Sequence, residues 1–334
     1  MRRVLMICVF LFFVINVSDS CFAATAKTLP LRESKEMYEH IAGQFGLPWH
    51  LLAAVDRYDQ TIASVIKAKV PLSFPAHLWF GDWRESSESS IPSALISRQF
   101  WGIAEDGNGD GIADPDRAED RLTALAYQLN SQGNSEEDRW IAVWERYRIA
   151  RGVERVMQFD QLYEQIPLEK LTTRTFPLVR AKTISFKDTW GGARGWGGKR
   201  SHEGTDLFAG HGTTVQSTCY GIVETIGWNN FGGWRIGIRD IQNVYHYFAH
   251  LSSFSKSIKK NDLVKPGQVI GWVGSTGYGK PGTSGKFPPH LHFGMYRDRG
   301  QLEWAFNPYP ELVRWKKAPA VRPTAALHRT PLKR

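Results

Sequence analysis

The glycine content of residues 190–213 restricts the fold of this chain more than any other feature. Glycine in a helix interior costs about 1 kcal/mol relative to alanine, so a segment with this many glycines disfavours a helix. The glycines concerned are Gly191, Gly192, Gly195, Gly197, Gly198, Gly204 and Gly210. Residues 201–207, inside this segment, are therefore predicted to be extended.

Histidines and an aspartate follow the spacing of strand faces. In an extended segment, residues two or four positions apart share a face, as do His202 with Asp206 and, far downstream, His290 with His292. Two neutral imidazoles and one carboxylate leave a zinc ion with an open fourth position, which is typical of a catalytic zinc site. We therefore predict that His202, Asp206 and His292 bind one Zn²⁺, whose bound water acquires a pKa of about 7.

The general base is a separate question. The sequence contains no H-E-x-x-H motif, so the base is not the glutamate of that motif. Two imidazoles are the alternatives: His290, beside the ligand His292, and His250, in the segment Y-F-A-H-L.

Four sequence motifs occur in a fixed order along the second half of the chain. They are H-x-G-x-D at 202–206, Y-x-A-H-L at 247–251, G-Q-x-I-G-x-x-G at 267–274 and H-L-H-F-G at 290–294. Together they resemble the lysostaphin-type (M23) zinc metallopeptidases, and the resemblance covers roughly residues 176–312.

This resemblance implies a function for each motif residue. His202, Asp206 and His292 are implied as zinc ligands, and His250 and His290 as catalytic imidazoles. The implied activity is that of a zinc endopeptidase that hydrolyses the stem peptides of bacterial cell-wall peptidoglycan. The two-domain layout is similar to that of sporulation L-Ala–D-Glu endopeptidases, which favours that bond over a D-Ala–diamino acid or crossbridge bond.

Two alternatives to this function remain at the sequence level. One is a non-catalytic wall-binding or scaffold protein, and the other is a bifunctional enzyme that also cleaves glycan. The second arises because residues 51–59 resemble the segment of lytic transglycosylases that carries their catalytic glutamate. Asp59 stands where that glutamate is expected. A carboxylate misplaced by about 1 Å costs around 10²-fold in rate, so we predict an inactive, wall-associated domain.

Periodicity predicts an α+β protein with two domains. Residues 27–166 are predicted to form an all-α domain, in which Leu122, Leu125, Ala126 and Leu129 mark one buried helix face. Trp140, Val143, Trp144 and Tyr147 repeat this pattern after the N-cap candidate Ser135 and are predicted to lie in the core. A mainly antiparallel β-sheet domain follows at 177–312, with alternating segments at 215–226, 234–238, 244–250, 268–273 and 290–296.

The remaining segments complete the predicted layout. Residues 1–26, with Arg2 and Arg3 before an apolar run, resemble a signal peptide. This predicts secretion across the plasma membrane to the cell wall or periplasm, with membrane contact only before cleavage. Residues 167–176 are predicted to be a linker, and 313–334 a flexible basic tail.

Charge and cysteine content restrict the partners and the redox chemistry. The formal net charge of +9 favours anionic wall polymers over nucleic acid for an exported protein. Cleavage of the leader leaves Cys219 alone, so no intramolecular disulfide is expected, and its strand-like context predicts a buried apolar role.

Three further sets of polar residues are candidates for binding or structural roles. Asp106, Asn108 and Asp110 alternate with glycines as in a calcium loop, although a plain Asx/Gly turn explains the same pattern. Arg194 is a candidate for holding a substrate carboxylate or for stabilising its own loop. His246 has the same strand parity as His250, which makes it a candidate for a position near the site, with a packed structural role as the alternative.

Overall fold

The computed structural model describes residues 31–66, 74–81, 94–179, 184–195, 199–298, 300–319 and 321. The predicted leader and most of the predicted basic tail lie outside the described residues. Among the residues described, no helix combines the length and the apolar content needed to cross a membrane.

The first half of the chain is helical, as predicted. Its helices are α1 (Leu31–Gln44), α2 (Trp49–Ile66), α3 (Ala76–Phe80), α4 (Ala94–Gln99), α5 (Ala118–Asn130), α6 (Glu136–Tyr147) and α7 (Ala150–Gln165). Helices α2 and α7 pack around a core to which α5 contributes the predicted face of Leu122, Leu125 and Leu129. The predicted N-cap is also confirmed, because the Ser135 hydroxyl accepts a hydrogen bond from the Asp138 amide.

The prediction that all four periodic residues of α6 lie in the core is wrong for the two tryptophans. Trp140 and Trp144 are 42% and 44% exposed, whereas Val143 is fully buried. Helix α6 lies at the surface, and the i, i+3, i+4, i+7 stripe is wider than the part of the helix that contacts its neighbours. The indoles therefore lie at the edge of the buried face.

The second half of the chain forms an antiparallel sheet, which confirms the predicted fold class. Its strands are β1 (Ala193–Arg194), β2 (Arg200–Ser201), β3 (Thr205–Phe208), β4 (Thr214–Gln216), β5 (Gly221–Asn229), β6 (Gly233–Asp240), β7 (Val244–Phe254), β8 (Leu263–Val264), β9 (Val269–Val273), β10 (His290–Asp298) and β11 (Glu303–Phe306). The main path runs β11-β10-β7-β6-β5-β8. Strand β3 also pairs with β10, and β9 with β4 and β7, while β1 and β2 form a separate hairpin.

Strand β10 is the element that positions His290 and His292. It pairs with β3 and β7, and His292 lies opposite Asp206 of β3 and Ala249 of β7. The apolar residues Leu291 and Phe293 point to the opposite face and are fully buried. Strand alternation thus sends His290 and His292 to the cleft and their apolar neighbours to the core.

The helical and β halves are joined by a buried ionic cluster. Arg155 of α7 is 5% exposed. It donates to Asp298 at 3.1 Å, to Glu303 at 3.3 Å and to Glu224. Arg239 of β6 binds the same two glutamates. A guanidinium with three carboxylates around it is a compensated buried charge, so α7 is held directly against the sheet.

Two predicted boundaries have structure of their own. The predicted linker at 167–176 contains a 3₁₀ turn (Leu168–Lys170), and its Leu171 and Phe176 are buried. Helix α8 (Tyr309–Lys317) crosses the predicted start of the flexible tail at 313, so that prediction is wrong for residues 313–317. Burial of Trp315 against the sheet domain explains why this segment is helical. Cys219 is also buried in that core, as predicted.

Candidate metal centre and its cleft

Three side chains meet at one point beside β10. The Nε2 atom of His202, the Nδ1 atom of His292 and the Oδ1 atom of Asp206 are each 3.0 Å from the other two. His202 and Asp206 are almost completely buried, and His292 is half-buried. The structure thus brings together the three residues predicted as zinc ligands.

The donor set fits a zinc ion. Tetrahedral zinc with bonds of about 2.0–2.1 Å holds its ligand atoms roughly 3.3 Å apart, close to the observed spacing. Two ring nitrogens 3.0 Å apart also require a proton or a cation between them. Burial raises the pKa of Asp206, but His202 and His292 outweigh burial and hold that pKa well below its usual range. The carboxylate is therefore ionised and available at neutral pH.

Backbone groups fix the orientation of His202. Its Nδ1 atom lies 2.8 Å from the carbonyl oxygen of Thr189. Because a carbonyl oxygen can only accept, Nδ1 carries the proton and Nε2 presents a lone pair to the centre. Gly204 allows the backbone next to His202 to lie close to β10. A Cβ atom at this position would lie 2.6 Å from the His292 ring and 2.7 Å from the Phe293 carbonyl oxygen.

His250 and His290 lie beside these three side chains. Their ring centroids are 4.9 Å apart, and Nε2 of His290 lies 3.8 Å from Oδ1 of Asp206. Each donates from Nδ1 to a carbonyl oxygen, His250 to Thr276 at 2.7 Å and His290 to Pro288 at 2.8 Å. Burial and the neighbouring imidazoles lower the pKa of His250 to about 3, and burial lowers that of His290. Both rings are therefore neutral, with Nε2 able to accept a proton.

The five histidine and aspartate side chains line one cleft of about 600 Å³. Aromatic and charged side chains complete its wall: Arg194, Arg200, Glu203, Phe231, Tyr247, Tyr278, Phe287 and Tyr296. Apart from Arg194, none of these was predicted from the sequence, because they come from loops and strands without a common periodicity. Such a half-open, partly aromatic cleft can bind an extended peptide.

Arg194 lies in this cleft and contacts Asp206, one of the three clustered side chains. Its guanidinium donates to Oδ2 of Asp206, the oxygen that faces away from His202 and His292. This contact leaves Oδ1 for the centre and orients the carboxylate.

The prediction that His246 lies near the site is wrong. His246 is fully buried, with Nε2 3.1 Å from Asp240 and Nδ1 2.8 Å from the Thr218 hydroxyl. The alternation of β7 is interrupted because His250 has a left-handed backbone, with φ at 63°. That conformation turns His250 into the cleft and leaves His246 on the core side.

Two predicted groups of the helical half have local partners. Asp59 pairs with Arg146 at 2.6 Å and accepts a hydrogen bond from Tyr147 at 2.9 Å. In the loop that begins at Asp106, the Asp106 carboxylate accepts from the amides of Gly109 and Gly111 at 2.8 and 2.7 Å. This is the Asx/Gly turn, and the described residues give the calcium alternative no support.

Comparison with known proteins agrees with this geometry. A model of peptidase family M23 matches residues 200–304. An L-Ala–D-Glu endopeptidase of Bacillus subtilis (strain 168) is 46% identical over 293 residues, which cover 86% of this chain and 89% of that protein. A glycyl-glycine endopeptidase of Staphylococcus capitis is 38% identical over 114 residues, which cover 34% of this chain and 29% of that protein.

Among solved structures, the catalytic domain of the antimicrobial peptidase lysostaphin from Staphylococcus simulans is 32% identical. The superposition covers 39% of this chain and 92% of that one, with a TM-score of 0.32. The identity of 46% across 89% of the Bacillus subtilis protein shows the family: the chain belongs to peptidase family M23 and is a metallopeptidase.

Proposed function

We propose that this protein is a secreted zinc endopeptidase that hydrolyses the L-Ala–D-Glu bond of peptidoglycan stem peptides. The observation that carries the proposal is the triangle of ligand atoms, 3.0 Å on each side, which opens to a cleft beside two neutral imidazoles. The bond is proposed because the Bacillus subtilis relative, similar along most of its length, is named for it.

His202, Asp206 and His292 would hold the zinc ion. Zinc at such a site polarises a scissile carbonyl and lowers the pKa of bound water to about 7. The neutral Nε2 atoms of His250 and His290 supply the proton acceptor that attack by water requires. The same imidazole pair returns the proton to the leaving amine.

We also propose that the protein acts outside the plasma membrane, at the cell wall. Residues 1–26 would direct export, and the net charge of +9 would favour contact with anionic wall polymers. A role in sporulation is proposed from the same similarity to L-Ala–D-Glu endopeptidases.

The domain boundaries are proposed at 27–166 for the helical domain and 177–312 for the peptidase domain. We assign the helical domain a positioning role. Asp59 is already engaged by Arg146 and Tyr147, so its carboxylate is not presented to a glycan. The Arg155 cluster supports this role because it fixes α7 to strands of the peptidase sheet.

Digestion of purified peptidoglycan tests the proposal. The zinc-loaded protein should release new α-amino groups, and mass spectrometry should place the cleavage between L-Ala and D-Glu. His292→Ala, as the control, should release none. Anhydro-muramyl ends that persist in His292→Ala and vanish in Asp59→Ala would instead establish a glycan-cleaving helical domain. Intact stem peptides after digestion by the zinc-loaded protein would refute the endopeptidase proposal.

A further inference from the structure

Two arginines lie directly opposite each other on the β1–β2 hairpin. Arg194 pairs with Arg200 in the antiparallel register, so both side chains lie on the same face. Like charges in directly opposed positions destabilise a strand pair. Both residues line the catalytic cleft, so the hairpin brings two positive charges to one wall of the substrate site.

The two arginines differ in what holds them. Arg194 is engaged with Asp206, a proposed zinc ligand, and is already committed to the metal centre. Arg200 is held by aromatic rings: its guanidinium carbon lies 5.0 Å from the Phe231 ring centroid and 5.2 Å from that of Tyr278. It also donates to the Tyr278 hydroxyl at 2.5 Å.

Aromatic packing holds a guanidinium in one orientation, which favours binding of an anion. Stacking restricts the side chain to one orientation before binding, so less rotamer entropy is lost on forming each hydrogen bond. The planar fork of N–H donors matches a carboxylate in a bidentate geometry. The half-buried position of Arg200 lowers the competition from water.

Arg200 also lies near His250, one of the two proposed catalytic imidazoles. The Tyr278 ring that packs on Arg200 stacks on His250, with centroids 6.0 Å apart and planes 21° apart. One aromatic ring therefore separates the guanidinium from a proposed catalytic residue. Arg200 and His250 therefore line the same part of the cleft.

The chemistry of a glutamyl residue supplies the matching anion. Glutamate has two carboxyl groups, and only one of them can continue the peptide chain, so the other remains as a carboxylate beside the L-Ala–D-Glu bond. A glycyl-glycine bond has no such charge. Building on the proposed function, we propose that Arg200 binds the free carboxylate of the residue after the scissile bond and thereby selects an acidic residue there.

A pair of synthetic stem peptides tests this selection. The two peptides are identical except that the free carboxylate of the D-Glu residue is replaced by a primary amide in one. Hydrogen bonds to charged groups contribute about 1.5–3 kcal/mol, so the zinc-loaded wild type should prefer the carboxylate peptide by roughly 10- to 100-fold in kcat/KM. Arg200→Gln should lose this preference, whereas Arg200→Lys should keep part of it as a point charge.

Arg297→Gln is the matched control. Arg297 is an exposed arginine that stacks on Phe306 at 4.7 Å, outside the cleft lining, so its substitution should leave the preference unchanged. Zinc content and the far-UV circular dichroism spectrum should be the same in all variants. An equal loss of activity towards both peptides in Arg200→Gln would overturn the proposal, because a merely structural residue does not distinguish a carboxylate from an amide.

The outcome for Arg200 is separable from that of the proposed function. Cleavage between L-Ala and D-Glu with the preference intact in Arg200→Gln would refute the role of Arg200 alone. Cleavage by the wild type only at bonds followed by an uncharged residue would refute both the bond and the selection. Loss of the preference in Arg200→Gln, with cleavage still at L-Ala–D-Glu, would establish both.

Discussion

The sheet domain contains two groups of histidine and carboxylate side chains that differ in their exposure. In the described residues, ligand atoms lie within 4.8 Å of one another both in the group His202, Asp206 and His292 and in the group Cys219, Asp240 and His246. The first group borders an open cleft. The second has at most 1% exposure at each residue.

The hydrogen-bond partners explain the difference between the groups. Oδ2 of Asp240 accepts from Arg174 at 2.5 Å and from His246 at 3.1 Å, and Oδ1 accepts from two backbone amides. His246 uses its other nitrogen for Thr218. In the cleft group, by contrast, His202 and His292 turn ring nitrogens towards each other and towards Asp206.

This comparison shows that residue types alone do not make a metal centre. Both oxygens of Asp240 already accept hydrogen bonds, Oδ2 from Arg174 and His246 and Oδ1 from two backbone amides, so neither is left for a cation. The carboxylate of Asp206 keeps one oxygen for the centre because Arg194 binds the other. We therefore expect zinc at the first group and a purely structural role for the second.

The largest effect is expected from Asp206→Ala. Two imidazoles alone hold zinc poorly, so zinc content should fall from one ion per chain to nearly none and hydrolysis of peptidoglycan should fall to background. His202→Ala and His292→Ala should behave in the same way. Metal analysis after dialysis measures this. A variant that keeps one tightly bound zinc and full activity would show that the ligand assignment is wrong.

His250→Ala and His290→Ala should separate catalysis from metal binding. Each should retain zinc, while kcat should fall by about 10²- to 10⁴-fold because a proton-transfer group is lost. His211→Ala is the control, since His211 is exposed and outside the cleft lining. If added zinc restores the rate of either variant, that histidine is a ligand and not a catalyst.

Asp240→Asn should affect stability and leave the metal in place. Hydrogen bonds to charged groups contribute about 1.5–3 kcal/mol, and the substitution would leave the partly buried Arg174 without its carboxylate partner. Chemical denaturation measures the loss in the free energy of unfolding. Zinc content and kcat per folded molecule should be unchanged, and loss of zinc from the folded variant would make the second group a metal site.

The second group should also make stability depend on pH. Burial alone would lower the pKa of His246, but Cys219 and Asp240 outweigh it and raise that pKa to about 9. An unfolded histidine titrates near about 6.5, so this contribution to stability is fully present below about pH 6.5 and is lost as the pH rises through 9.

Denaturation curves between pH 6 and pH 10 measure this dependence. Arg174 contacts the same Asp240 and is present in both proteins compared. Stability should fall across the range in the wild type and fall less in His246→Gln. Identical slopes in the two proteins would exclude His246 as the titrating group.

Cys219→Ser should have the smallest effect. The thiol is buried and outside the cleft, so activity and zinc content should remain nearly unchanged. A hydroxyl in the same buried position should lower the free energy of unfolding by about 1 kcal/mol. A large loss of activity together with zinc would identify Cys219 as a ligand.

The sequence determined the fold class and predicted that the five motif residues come together. Alternation in the second half and 3.6-residue periodicity in the first predicted the β and α halves, because both periods follow from backbone geometry. All five motif residues lie in one cleft. Their number and order along the chain made that prediction possible.

Only the tertiary structure decided which partner each polar side chain meets. Strand parity placed His246 beside His250, but the left-handed backbone at His250 separates them, and a reversal at one residue leaves no mark in a periodic pattern. Helical periodicity placed Trp140 and Trp144 in the core, yet the extent of burial depends on how closely neighbouring helices approach. Arg194 and Arg200 are equivalent cations in the sequence. The hairpin register and the aromatic rings from distant loops bind one to Asp206 and direct the other to the substrate cleft, because contacts between distant segments form only in the folded chain.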